Sequence, residues 1–471
     1  VKSNRRTAWL VVMGVVALFY LAMFGRVLEY LNPITGDEPF YVMTAISMVR
    51  DRDLDETNNY IQRQYEAFYP EEPLPADWKG WPAFPRDLPP HPAISERPGL
   101  HTKHGLGLSI LIALPYAIAG RIGAMLVVTL AGAVLAGQMF LLAREGGVSE
   151  KTAALAAVAL SMTMPLAPYA LLIFPEVPAA LLIIYAIRRM AASGNETWQW
   201  LLTGAAIGFL PWLHQRFAVM SAVFAAILLY RLIQTRSRNG APALLPVAIG
   251  GFSIIGYNLW LYGQFTQNTA DHAGFSRLSG TLNGLAGLML DAQWGLLVVA
   301  PVMAIAIAAI PVWARSNKRT ASIALLAVAP YLLVVGAYQV WWGEWGPAAR
   351  YLVPVVPLLA APLATWIHRG TGIHRAVAGL AWIFGLVITV IGFANPQRWY
   401  HHPDGINKVY ALIGERFGFD LAGRLIPYQF YSPATPAERV ALVMLTLMLT
   451  GLLGWWFWRS AGNRGGRFRR V

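Results

Sequence analysis

The sequence predicts an all-α polytopic membrane protein, and three observations lead there. Of 471 residues, 56% are hydrophobic and only 13% are charged, against about 25% charged in an average soluble domain. A chain so poor in charge cannot cover a water-facing surface, so lipid must be its main solvent. Apolar runs of spanning length recur along the whole chain, and short basic clusters separate them. The formal net charge of +13 therefore reads as topology under the positive-inside rule and not as a nucleic-acid surface. With no cysteine, disulfides, thiolate metal sites and cysteine nucleophiles are excluded.

The first run, from Ala8 to about Leu31, follows Lys2, Arg5 and Arg6 and is long enough to cross about 30 Å of hydrocarbon. It lacks a small-residue cleavage site before Asn32 and Pro33, so it reads as a retained anchor with residues 1–31 entering from the cytoplasm. Residues 32–104 then form a large first extracytoplasmic loop, too long for a connector. The apolar spacing of Tyr41, Ala45, Met48 and Val49 predicts an interfacial helix in it, lying in the membrane plane.

Residues 105–261 read as a catalytic transmembrane module, 262–291 as a second outer loop, 292–394 as further transmembrane helices, 395–437 as a third outer loop and 438–471 as a last helix with a basic cytoplasmic tail. The basic residues Arg188, Arg189, Arg231, Arg315, Lys318, Arg369 and Arg375 fix the cytoplasmic side. Two cytoplasmic ends require an even number of crossings, and the expected number is about 12, within about 11 to 13. One apolar run therefore does not span. The breaks at Gly120-Arg121, at Ala167 to Leu171 and at Pro211 to Arg216 are the candidates for half-length helices.

The chemistry-bearing residues gather in the first loop. Asp37 and Glu38 follow the first helix, beside an aromatic strip, where a carboxylate can take a proton from an acceptor hydroxyl or hold a metal. Asp37 before Pro39 is equally what a helix cap looks like. The far end of the loop carries Arg97, His101, Lys103 and His104, a basic set suited to a lipid-linked phosphate or to plain interfacial anchoring. Glu176 begins an apolar half-helix, where it either meets an acceptor or metal or simply offsets the helix dipole. His214 and Arg216 after Pro211-Trp212 either reach the donor phosphate or snorkel to the interface. Asp271-His272, Asp291, Glu344 and His401-His402-Pro403-Asp404 are expected in solvated loops, and Trp341, Trp342, Trp345, Trp399 and Tyr400 in interfacial belts. No P-loop, dinucleotide fingerprint or serine elbow is present.

Gly36-Asp37-Glu38-Pro39 with Tyr41, then Lys103-His104-Gly105 leading into Leu114-Pro115-Tyr116, resembles the membrane glycosyltransferases of the GT-C fold. The relatives meant are the protein O-mannosyltransferases and the aminoarabinose transferases that modify lipid A. Trp294-Gly295-Leu296-Leu297 ahead of Ala300-Pro301, and Trp341 to Leu352, resemble bacterial members. Those members read Gly-Pro-Arg-Tyr where this chain inserts Ala348 and Ala349, which leaves the role of Arg350 open. The resemblance implies an inverting transferase moving a sugar from a polyprenyl-phosphate donor to an acceptor hydroxyl at the outer face of the cytoplasmic (inner) membrane. It implies Asp37 as base, Glu38 as its neighbour orienting acceptor or metal, and Lys103 on the donor phosphate, with Arg97, His104 and Arg216 joining it. The partners expected are the bilayer, the lipid-linked donor and a glycan, lipid or protein acceptor, with no nucleic acid. A divalent cation (magnesium, manganese or zinc) is compatible with the carboxylates. The rivals are a transporter or flippase of lipid-linked sugars and a non-catalytic envelope-assembly protein.

Overall fold

The computed structural model describes residues 2–31, 34–69, 87–235, 238–267, 274–400, 405–418 and 436–465. Among them there is no β-strand, only two isolated bridges, and helices make up nearly all regular structure. Among the described residues, seven helical stretches are long and apolar enough to cross a bilayer: Thr7–Tyr30, Leu106–Glu145, Gln215–Gln234, Gly240–Tyr262, Lys318–Ala337, Gly372–Ala394 and Val440–Ala461. The chain is thus the multi-pass helical protein its composition demands.

Helix α1 (Lys2–Tyr30) ends just before the loop that starts the site. Helix α2 (Glu38–Arg50) is buried over its first ten residues, Glu38 to Ser47. An in-plane helix with one lipid-facing side was expected; α2 is instead enclosed, because the loop at 87–104 and the start of α4 (Leu106–Glu145) close over it. The Ser109 hydroxyl donates to the Tyr41 carbonyl at 2.9 Å. The single turn α3 (Thr57–Ile61) follows.

Helix α4 contains the break foreseen at Gly120. Its 40 residues would measure about 60 Å if straight, twice a hydrocarbon core. At Ala119 and Gly120 the backbone leaves helical geometry, and Gly120 adopts φ 55°, ψ −143°, a conformation open only to glycine. Arg121 then donates to the Leu28 carbonyl at 3.1 Å, at the end of α1 nearest Asp37. The half before the break therefore begins beside the site at His104 and ends at the same level of the bundle. The half after it runs back along α1.

Helices α5 (Glu150–Ser161) and α6 (Leu166–Tyr169) are separated by a turn with a cis Met164-Pro165 bond, and α7 (Glu176–Ala191) returns. The far end of α7 is pinned by Arg188, whose Nε donates to Glu145 at 2.9 Å. This leaves Glu176 at the site end. Helix α8 (Thr197–Leu213) breaks at His214, which is extended at φ −168°, before α9 (Ala218–Thr235). Helices α10 (Leu244–Tyr262), α11 (Leu278–Leu290), the turn α12 (Leu296–Val299), α13 (Val302–Ser316) and α14 (Lys318–Ala337) lead to a 3-10 region at Arg350–Leu352. Helices α15 (Ala360–Arg369), α16 (Gly372–Ala394), α17 (Lys408–Phe417) and α18 (Pro436–Gly465) complete the chain.

Candidate active site

Asp37 is placed by a tight turn. Gly36 sits at φ +65° with the Trp345 carbonyl only 2.7 Å from where a Cβ would be, so turn and packing both require glycine there. Asp37 occupies the N-cap position of α2, yet its side chain caps nothing. Its Oδ2 instead accepts from the Arg350 guanidinium. The helix-cap alternative for Asp37 is therefore not what the fold uses.

Glu38 faces the other way. It is 1% exposed, and its two oxygens accept from the Ile173 N–H and the Tyr400 hydroxyl, both at 2.7 Å. The carboxylate thus joins α2, the segment before α7 and the segment after α16. Burial pushes its pKa up despite those two bonds. The adjacent acids have different surroundings: one borders a cavity and the other is a buried tie.

Behind Asp37 runs a line of alternating charge. Glu176, fully buried, accepts on Oε1 from Arg350 Nε at 2.8 Å and from Arg216 at 2.5 Å. Arg350 lies over the Phe174 ring at 4.5 Å and Arg216 over the Tyr351 ring at 4.6 Å. The order is Arg216, Glu176, Arg350, Asp37. Glu176 lies too deep to meet an acceptor, and its position suits holding the two arginines.

The two alanines before Arg350 help to place it. Ala348 and Ala349 are buried, and Ala349 takes φ +60° while its N–H donates to the Trp294 carbonyl at 3.0 Å. The pair forms a bend that leads into the 3-10 turn carrying Arg350. Tyr169 supports the bend by donating to the Pro347 carbonyl at 2.9 Å.

A cavity of 410 Å³ opens in front of this line. Asp37, Lys103, His104, His214, Arg216 and Arg350 all border it, as do His91, Tyr351 and the exposed Glu344. His91 and His104 come from opposite arms of a short antiparallel bridge, Pro92 to Thr102, in which the Lys103 N–H donates to the His91 carbonyl at 3.0 Å. Burial works against the Asp37 carboxylate, but Arg350, with His104 and His91, outweighs it and holds the group well below the usual carboxylate range. Burial drives His104 down to about 3, so its ring is neutral near pH 7.

The structure thus brings together Asp37, Lys103, His104, His214 and Arg216 from the sequence-predicted set. Glu38, Glu176 and Arg97 of that set do not border the cavity; Arg97 is exposed, donates to the Trp260 carbonyl at 3.0 Å and lies over that ring. Asp291 is likewise corrected. It is fully buried, its Oδ1 accepting from the Gln293 and Trp294 N–H groups at 2.8 and 3.1 Å, because it closes the turn between α11 and α12. Trp341, Trp399 and Tyr400 are buried in the protein and do not form a belt, since the loops carrying them pack against the site. Asp271, His272, His401, His402 and Asp404 lie outside the described residues.

Three residues at the site stand out in the fold and not in the sequence. His91 lay in a proline-rich stretch with no helical spacing to mark it. Tyr400 was counted as a belt residue. Arg350 was noticed but left without a role.

Fold and site together define a multi-pass helical membrane protein of the GT-C fold. Two solved structures share that fold with this chain: ArnT from Cupriavidus metallidurans in the apo state (15% identity, TM-score 0.50, covering 97% of this chain and 78% of that one) and the same protein bound to undecaprenyl phosphate (14% identity, TM-score 0.53, covering 98% and 79%). No family model matches the chain, and neither does any curated protein.

Proposed function

We propose that this protein is an inverting glycosyltransferase, moving one sugar from a polyprenyl-phosphate donor to an acceptor hydroxyl at the extracytoplasmic face of the inner membrane. The observation that supports this most is one cavity walled by a carboxylate, Asp37, and by the cations Arg350, Arg216 and Lys103. The undecaprenyl phosphate bound in the related fold supports the donor class. Under the positive-inside rule, the cavity end of the bundle faces away from the cytoplasm, with both termini inside.

In this reaction the acceptor oxygen attacks C1 of the sugar and gives its proton to Asp37. The bond from C1 to the phosphate oxygen breaks, and the electron pair leaves on polyprenyl phosphate. Phosphate is already an adequate leaving group, so the chain needs mainly a base and positive charge beside the developing anion. Arg350 and Arg216 supply that charge in a buried setting and Lys103 at the rim. His104 and His214 line the acceptor side, and Glu176 fixes the arginines. The acceptor is a glycan, lipid or protein hydroxyl.

The test is a panel of labelled polyprenyl-phosphate sugars given to the protein reconstituted in liposomes. Transfer of label with equal release of polyprenyl phosphate is expected. Movement of intact donor across the bilayer without cleavage would establish the transporter instead.

A further inference from the structure

The cavity wall contains a ligand set that shares Asp37 and His104 with the transfer chemistry above and adds His91. Asp37, His91 and His104 each offer one ligating atom, and these atoms lie within 4.8 Å of one another. Two of them already have the spacing an ion needs. His91 Nδ1 and His104 Nε2 are 3.3 Å apart, and in a tetrahedral zinc site with bonds of about 2.0–2.1 Å the donor atoms stand about 3.3–3.4 Å from each other. The Asp37 carboxylate atom lies within 4.8 Å of both.

The surroundings hold the rings in place. The backbone bond from Lys103 to the His91 carbonyl locks the two arms together, and the Ala93 N–H donates to the His101 carbonyl at 2.8 Å on the next pair. The Phe40 ring stacks on His91 with centroids 3.7 Å apart and on His104 at 5.3 Å. Arg350 holds Asp37 Oδ2.

We infer that Asp37, His91 and His104 form a zinc site with an open position facing the cavity. Two imidazoles with one carboxylate are ligands for Zn2+, whereas Mg2+ prefers oxygen ligands and retained water. The inference deepens the proposed function and rests on the same cavity. A carboxylate has two oxygens, so an ion on one leaves the other for Arg350 and for an incoming hydroxyl. The ion would fix Asp37 and the acceptor oxygen relative to each other.

The test uses the full-length protein in detergent, stripped with a chelator, dialysed, and equilibrated separately with Zn2+, Mn2+ or Mg2+ before metal is counted per chain. One Zn2+ per chain is expected, with weaker Mn2+ and no retained Mg2+. His91→Ala and His104→Ala should each weaken zinc binding by about 100-fold or more, since losing even an outer-sphere partner costs about 10–100-fold. Wild-type protein loaded with Co2+ should show the visible bands of a nitrogen-ligated, four- or five-coordinate ion, a readout that needs no variant. Absence of those bands, or equal zinc in wild type and a variant carrying both His91→Ala and His104→Ala, overturns the site. Activity decides the other claim separately. Transfer by metal-free protein would keep the transferase reading and remove the ion from it, while one zinc per chain without transfer to any acceptor would keep the site and sink the transferase.

Discussion

Asp37→Asn is expected to lower the transfer rate by about 10²–10⁴-fold, the range a positioned general base contributes, while the protein stays folded and still binds donor. Asparagine has the shape of aspartate and cannot take the acceptor proton. Arg350 keeps its bond to Glu176, so the phosphate-facing charge stays in place. Rate and donor affinity therefore separate: single-turnover kinetics should collapse while binding of a labelled polyprenyl phosphate is retained. The pH dependence follows the same geometry. Arg350 holds the Asp37 pKa below its ordinary value, so the base remains ionised as pH falls from 7 toward 4 and its protonation should not produce an acid limb in that window. Full turnover by the asparagine variant would remove Asp37 from the chemistry.

The largest effect on the fold is expected from Glu176→Gln. Glu176 is the shared counter-charge of two buried arginines, at 2.8 and 2.5 Å. Replacing it with a neutral group leaves Arg216 without an ion partner among the described residues and Arg350 with Asp37 alone. Breaking a buried pair by removing one partner costs about 3–5 kcal/mol. The expected outcome is a clear drop in thermal midpoint in detergent, larger than that of Asp37→Asn, because Asp37 is 25% exposed and water screens its loss. A midpoint equal to wild type would show that the charge line is not a stabilising unit.

The membrane class and the break at Gly120 were legible because they depend on local composition: run length, charge placement and a glycine among apolar residues. The place of Asp37 at the cavity was legible for a similar reason, its position at the end of a spanning helix. The resemblance separates Asp37, as base, from Glu38, as its neighbour, but the partners that set them apart in the fold, Arg350 and Tyr400, lie 313 and 362 residues away and leave no local pattern. Glu176 read evenly between acceptor contact and helix charge, since its arginines come from two other segments. His91 was invisible because its pairing with His104 depends on a two-residue bridge too short to leave a pattern. Arg97 misled in the opposite direction: chain proximity to Lys103 suggested a shared target, but its segment bends away to α10 and its guanidinium settles over Trp260.

The central claim is that the cavity bordered by Asp37 and Arg350 receives the donor phosphate. Photo-cross-linking with a polyprenyl phosphate bearing a diazirine next to the phosphate tests it most directly. The account predicts saturable adducts on cavity residues such as Tyr338, Val340 and Tyr351, reduced by Arg350→Leu and preserved in Asp37→Asn. Saturable labelling confined to residues outside that cavity, unaffected by Arg350→Leu, would contradict it.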